Sequence, residues 1–167
     1  GSDGSIYIAG DTSGDLDGET NSGSGDTFIS KYNPNGTKEW TRLLGTSNFD
    51  YGNALTTGSD GSIYIAGYTS GDLDGETNSG SGDTFISKFN SDGTKEWTRL
   101  LGSSSYDAGQ ALTIGSDGSI YVGGYTGGDL DGETNSGSDD AFISKFNPDG
   151  TKEWTRLLGS SSSDYGR

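Results

Sequence analysis

The sequence predicts an all-β fold, a β-propeller of four-stranded antiparallel blades, and three observations carry that expectation. A 57-residue text opens at Gly1 and returns at Gly58 and Gly115, with ten differences between the first two copies. The third copy retains 53 residues and differs from the second at nine. Each copy holds four short β-branched and aromatic runs, and tight-turn sequences separate two pairs of them. A fixed period of this size marks a repeat array whose units bury their apolar faces only against neighbours.

The four strand candidates of the first copy are Ser5–Ala9, Thr27–Tyr32, Glu39–Leu44 and Ala54–Thr57. Apolar residues occupy both parities in SIYIA and TFISKY, the pattern of strands covered on both faces. Asn33-Pro34-Asn35-Gly36 and its relatives Asn90-Ser91-Asp92-Gly93 and Asn147-Pro148-Asp149-Gly150 signal tight hairpins. Proline presets the turn and glycine supplies its left-handed position. Ser59-Asp60-Gly61 signals another hairpin. Longer connectors run over 10–26 and 45–53. Four antiparallel strands per period suit a propeller blade. A parallel β-helix is the rival, but tight hairpins reverse the chain where a rung needs it to continue.

Composition narrows the function. Only 27% of residues are hydrophobic and 31 are glycine, which disfavours a helical core. The net charge of −15 invites disorder as an explanation. Against it, Tyr7, Phe28 and Trp40 recur in phase as Tyr64, Phe85, Trp97 and Tyr121, Phe142, Trp154. Neither cysteine nor histidine is present, so thiolate sites and a Ser-His-Asp triad are excluded. The negative charge disfavours nucleic acid and anionic membranes as partners, and no apolar stretch approaches a membrane span. The chain starts without Met and stops mid-repeat, so it is expected to be a piece of something longer.

The residues Asp-Gly-Ser-Ile-Tyr, then Asp-Thr-Phe-Ile-Ser-Lys, then Leu-Leu-Gly-Thr-Ser resemble the bacterial β-propeller repeat family called SBBP, over all three periods. The resemblance implies large secreted or surface-attached bacterial and cyanobacterial proteins, hence an extracellular or cell-surface location. It defines no catalytic motif. Taking strand order from it, ALTT is innermost and EWTRLL outermost, and residues 44–53 cross to the next blade. The other register, with the acidic loop as crossover, stays open. The units are 1–57, 58–114 and an incomplete 115–167, together a propeller fragment of about three blades. Such a fragment cannot close the usual ring of roughly four to eight blades alone.

One segment departs from that family: DLDGETNSGSGD over 15–26. Its oxygen-bearing residues are Asp15, Asp17, Glu19, Asn21 and Asp26, repeated as Asp72, Asp74, Glu76, Asn78, Asp83 and as Asp129, Asp131, Glu133, Asn135, Asp140. Oxygen ligands at every second position resemble an EF-hand-type calcium loop. The resemblance is partial, because Thr20 stands at the usual glycine position and Asp26 replaces a bidentate Glu. The D-x-D-G spacing also resembles the calcium loops of integrin-type propeller blades. Thirteen of the 25 carboxylates lie in these three loops. Close like charges cost on the order of 1 kcal/mol per pair. One Ca²⁺ per repeat is therefore expected, with an open, solvated acidic loop as the alternative.

Lys31, Lys88 and Lys145 lie within strands and are expected in salt bridges. Trp40, Trp97 and Trp154 are expected as packing anchors between blades, and Asp50, Asp107 and Asp164 as turn caps. The expected function is a non-enzymatic structural or adhesive extracellular repeat protein stabilised by calcium. Its partners would be neighbouring repeats or further copies of itself, with surface glycans or proteins as further candidates. The alternative is a multivalent ligand-binding propeller.

Overall fold

A computed structural model describes all residues, Gly1–Arg167, and contains eleven strands and no helix. They are β1 (Ile6–Thr12), β2 (Asp26–Tyr32), β3 (Lys38–Leu44), β4 (Asp50–Thr57), β5 (Ile63–Thr69), β6 (Asp83–Phe89), β7 (Lys95–Leu101), β8 (Asp107–Ile114), β9 (Ile120–Thr126), β10 (Asp140–Phe146) and β11 (Lys152–Leu158). They form three antiparallel sheets: β1-β2-β3, β4-β5-β6-β7 and β8-β9-β10-β11. The architecture is an open β-propeller fragment of about three blades. The first blade lacks its inner strand, and the Ala54–Thr57 run opens the second blade rather than closing the first. Blades therefore straddle the repeat boundaries, with residues 45–49 crossing to the next sheet.

The inner strand is longer than its sequence suggested. It starts at Asp50 rather than Ala54, and a bulge between Gly52 and Ala54 absorbs the Asn53 that interrupts the pattern. At the opposite end, the Asn33–Gly36 and Gly58–Gly61 turns close with hydrogen bonds from Gly36 N–H to Asn33 O (2.9 Å) and Gly61 N–H to Gly58 O (3.1 Å).

Two apolar clusters sit between blades, not within them. One joins Ile29 and Leu44 of the first blade to Ile63, Ile65, Leu73, Phe85 and Phe89 of the second. The other joins Tyr64, Ala66, Ile86 and Leu101 of the second to Ile120, Val122, Leu130, Phe142 and Phe146 of the third. A strand with apolar residues at both parities thus feeds two interfaces. The middle blade is covered on both faces, and β5 and β6 are buried almost throughout. The same sequence in β1 leaves Ile6 53% exposed, because no blade precedes it.

Tryptophan anchors these interfaces. Trp40 lies against Gly93 of the next blade's turn, and Trp97 against Gly150. Arg42 stacks 5.6 Å from the Trp40 ring and donates from Nε to Gly93 O (3.2 Å). The in-strand lysines pair as expected, Lys31 with Glu39 (2.9 Å), Lys88 with Glu96 (2.7 Å) and Lys145 with Glu153 (2.8 Å).

Candidate functional site at the acidic rim

The ends of β1, β5 and β9, the starts of β2, β6 and β10, and the blade-to-blade crossings all meet at one rim. Register places them there: Thr12 pairs with Asp26, and Asp50 with Thr69. The three acidic segments occupy this rim.

Each segment folds as a minimal hairpin. Leu16 and Glu19 exchange both backbone hydrogen bonds at 3.0 Å, with Asp17 and Gly18 at the tip. Asp17 has φ 57° and Gly18 φ 87°, so both central residues are left-handed, which defines a two-residue hairpin turn of the kind Asp-Gly favours. Residues 73–76 and 130–133 repeat it. The hairpin directs its one apolar residue inward. Leu73 and Leu130 are 1% and 0% exposed and belong to the inter-blade clusters. The alternation that resembled a cation-binding loop is therefore also that of a hairpin with its leucine in the core and its acids outside.

The acids face separate partners. Asp17 forms an ion pair with Lys38 and accepts from the Thr41 hydroxyl, and Glu19 pairs with Arg42 at 3.3 Å. Both bases lie on the outer strand of the same blade. The pairs recur as Asp74–Lys95 with Glu76–Arg99, and Asp131–Lys152 with Glu133–Arg156. The Lys38 and Thr41 hydrogen bonds hold Asp17 below the ordinary carboxylate value. Asp15 accepts the Asn21 N–H (2.9 Å), as Asp72 does from Asn78 and Asp129 from Asn135. Asn21 in turn accepts the Gly23 N–H and donates to Thr12 O. Lysine and arginine some 20 residues away thus supply the positive charge that the linear text lacked.

Asp26, Asp83 and Asp140 stand apart from the other four members of each set. Each is fully buried at the start of its strand and caps the loop, accepting from the Ser22, Ser79 or Ser136 N–H. Asp50, Asp107 and Asp164 cap the crossings in the expected way, accepting from the Thr46, Ser103 and Ser160 N–H at 2.6–2.7 Å. Burial raises the carboxyl pKa of Asp50, Asp83 and Asp107. As arranged, no three acids of these segments converge in one group.

A second rim feature has no counterpart in the linear reading. Six aromatic rings follow one another along the rim of the second and third blades and the segments that lead into and out of them: Phe49, Tyr51, Tyr68, Tyr106, Tyr125 and Tyr165, with centroids 4.9–6.0 Å apart. Phe49 and Tyr165 at its ends are about half exposed. Burial pushes the Tyr68 and Tyr106 hydroxyls up from their ordinary value. The ladder draws on repeat positions that differ between copies, with Asp11, Ala108 and Ser163 standing where another copy carries a ring. Searching for in-phase aromatics passes over it.

Comparison with known proteins agrees with this geometry. A "Domain of unknown function (DUF5122) beta-propeller" matches residues 1–39, 58–96 and 115–153, and the SBBP β-propeller repeat matches 39–74 and 96–131. The regulatory protein FlaEY of Caulobacter vibrioides is 34% identical over 185 aligned residues, covering 98% of this chain and 19% of that protein. The chain thus spans about a fifth of the curated relative it matches. On the repeat matches and the four-stranded blades together, the chain belongs to the DUF5122 family of β-propeller repeats and carries two matches to the SBBP β-propeller repeat.

Proposed function

We propose that this chain serves as a rigid, non-enzymatic propeller scaffold at the cell exterior, in a structural or adhesive role. The observation that carries the reading is how the recurring polar side chains are used. The rim acids pair with Lys38 and Arg42 and their equivalents, the strand lysines with Glu39, Glu96 and Glu153, and the strand-start aspartates with turn amides. The ion-paired rim acids and strand bases hold one blade to itself or to the next, and groups paired in this way have little capacity left for acid–base work. Neighbouring repeats or further copies of the chain are the partners this reading assigns.

Calcium stabilisation of the rim is an extension of the proposal with a defined competitor. An ion drawn to Asp15, Asp17 and Glu19 has to displace Lys38 and Arg42. A melting temperature that rises in about 5 mM Ca²⁺ relative to EGTA supports it, and no change removes it.

A multivalent binding platform is the second reading, favoured by the aromatic ladder, since rows of rings with exposed edges suit sugars or protein side chains. The Caulobacter relative is named a regulatory protein, and regulation by a propeller is most simply done by holding a partner. Glycan and protein arrays probed with the chain and with Tyr106→Ser separate the two. Saturable binding lost in Tyr106→Ser supports the platform, and absence of binding leaves the scaffold. Turnover of any substrate in a hydrolase panel ends both.

A further inference from the structure

We propose that the polar groove between the first and second blades is a saccharide-binding subsite, which takes a neutral sugar by its hydroxyls with Phe49 at the groove's edge. The inference rests on the binding-platform reading and deepens it by assigning a site and a class of ligand.

The groove has a volume of about 520 Å³ and lies where the crossing between these blades meets the stem of the second acidic hairpin. Thr46, Ser47 and Asn48 supply one wall, and Ser70, Asp72 and Asn78 the other. Sites for small ligands span about 300–1,000 Å³, so the size is suitable. No apolar side chain lines the groove, and no lysine or arginine does. Without a base, and in a chain of charge −15, the groove disfavours phosphate and sulfate groups. Without an apolar pocket, it offers a protein partner no anchor. Hydroxyl groups both donate and accept, which matches a lining of hydroxyls, amides and one carboxylate.

The lining is fixed before any ligand arrives. Asn48 donates from Nδ2 to Ser70 O (3.0 Å) on the facing wall and from its N–H to Thr46 Oγ1 (3.1 Å). Asn78 donates from Nδ2 to Thr69 O (2.9 Å) and accepts the Gly80 N–H at Oδ1 (3.0 Å). Asp72 Oδ1 accepts the Asn78 N–H (2.9 Å). Gly71 lets the walls approach, since a Cβ there would lie 2.7 Å from Thr46 Oγ1 and 3.0 Å from Asn48 Nδ2. One end of each amide or carboxylate is thus committed to the fold, while Asn48 Oδ1, Asp72 Oδ2 and the Ser47 and Ser70 hydroxyls make no bond within the chain. Asp74 and Glu76 of the same hairpin pair with Lys95 and Arg99, whereas Asp72 pairs with no base. A carboxylate held at one oxygen and free at the other is a strong acceptor for a sugar hydroxyl, and prior ordering lowers the cost of binding.

Phe49 follows Asn48, and its carbonyl accepts the Ser70 N–H (2.9 Å), which ties it to the same wall. Its ring is 47% exposed and stacks 5.9 Å from that of Tyr51. Tyr106, its counterpart at the second junction, lies between the rings of Tyr68 and Tyr125. At the first junction Asp11 stands in the position of Tyr68, and Phe49 keeps an open face. The C–H face of a sugar ring packs on such a surface while its hydroxyls reach polar neighbours. The second junction lacks part of the set, with Ser105 in place of Asn48 and Gly127 in place of Ser70. The count is therefore one site for these two junctions.

Isothermal titration of the chain with cellohexaose, maltohexaose and α-mannohexaose tests this, with sulfated dextran and a peptide array as contrasts. The expected result is saturation by a neutral hexasaccharide at one site per chain, and none by sulfated dextran. Asn48→Ala and Phe49→Ala, folded by circular dichroism, should each weaken binding about three- to tenfold. Ser105→Asn with Gly127→Ser rebuilds the set at the second junction and should raise the count to two. A Cβ at Gly127 meets only ordinary contacts, 3.4 Å from Ser105 Cβ and Tyr106 O, so this variant should fold. Sugar binding that survives both single variants, or a count that stays at one in the double variant, overturns the subsite and leaves the platform standing. Binding to peptides alone overturns it and leaves a platform with a protein partner. Binding to neither overturns both.

Discussion

Replacing Leu73 by Ala tests whether the acidic rim segment belongs to the propeller's core or merely decorates it. The side chain is 1% exposed and packs with Ile29 and Leu44 across the blade boundary. Three buried carbons, at about 0.8 kcal/mol each, give a transfer loss of about 2.4 kcal/mol. The cavity left behind raises the expected cost to about 3–4 kcal/mol, within the range for Leu→Ala in packed cores. Urea unfolding followed by tryptophan fluorescence measures it, provided the slope m stays constant. Leu130→Ala should cost a similar amount, because Leu130 occupies the same place in the second interface. Thr77→Ala, exposed in the same segment, should stay within about 0.5 kcal/mol of the parent. A loss below about 1 kcal/mol at both leucines would refute the hairpin as a core element, and an open, solvated loop would replace it.

Three further outcomes follow from the same geometry. Gly93→Ala places a Cβ 3.1 Å from Trp40 at φ +84°, so it should cost about 1–3 kcal/mol and shift tryptophan emission, and a neutral result would contradict the Trp40 seat. A double-mutant cycle on Asp74 and Lys95, whose side chains are 25% and 35% exposed, should return a coupling of about 0.3–1 kcal/mol that shrinks in high salt. Coupling that is zero at low salt would remove the pair from the account of how the rim acids are neutralised. The pH profile should be inverted over its upper part. Asp50, Asp83 and Asp107 are raised above 3.8 by burial, so the folded state holds their protons more tightly. Their stabilisation is complete below that value and is lost as pH rises through the raised pKa values. Asp17, Asp60 and Asp92 are lowered by hydrogen bonds, and their contribution is lost as pH falls below 3.8. The melting temperature should thus rise as the pH is lowered through the raised pKa values and fall once it drops below the ordinary carboxylate value. A steady decline from pH 7.5 downward would show that the strand-start aspartates are not desolvated as described.

Much of the site was written in the sequence in a form that admitted two readings. Asp-Leu-Asp-Gly-Glu is both an alternating set of oxygen ligands and an Asp-Gly hairpin closed by Leu and Glu. The lone leucine in each acidic segment was the signal for the hairpin, because a two-residue Asp-Gly turn sends that residue into the inter-blade cluster. The neutralising charges were legible only as residues, since Lys38 and Arg42 lie in a different strand and come alongside through the β2–β3 hairpin. The aromatic ladder was hidden because its members come from non-equivalent repeat positions.

The period, strand identities and turn types followed from local chemistry alone: β-branched and aromatic runs, Asn-Pro and Asp-Gly turns, and glycine where a left-handed residue is needed. The tryptophan and lysine roles followed too, since a residue repeated in phase meets the same neighbours in every blade. Tertiary structure alone decided the blade register, which acids meet which bases, and how buried each copy of a residue is. Leu44, Leu101 and Leu158 share one local sequence and one local conformation, yet two are buried and the third faces solvent. Burial depends on the adjoining sheet, and nothing within a repeat encodes whether another stands beside it.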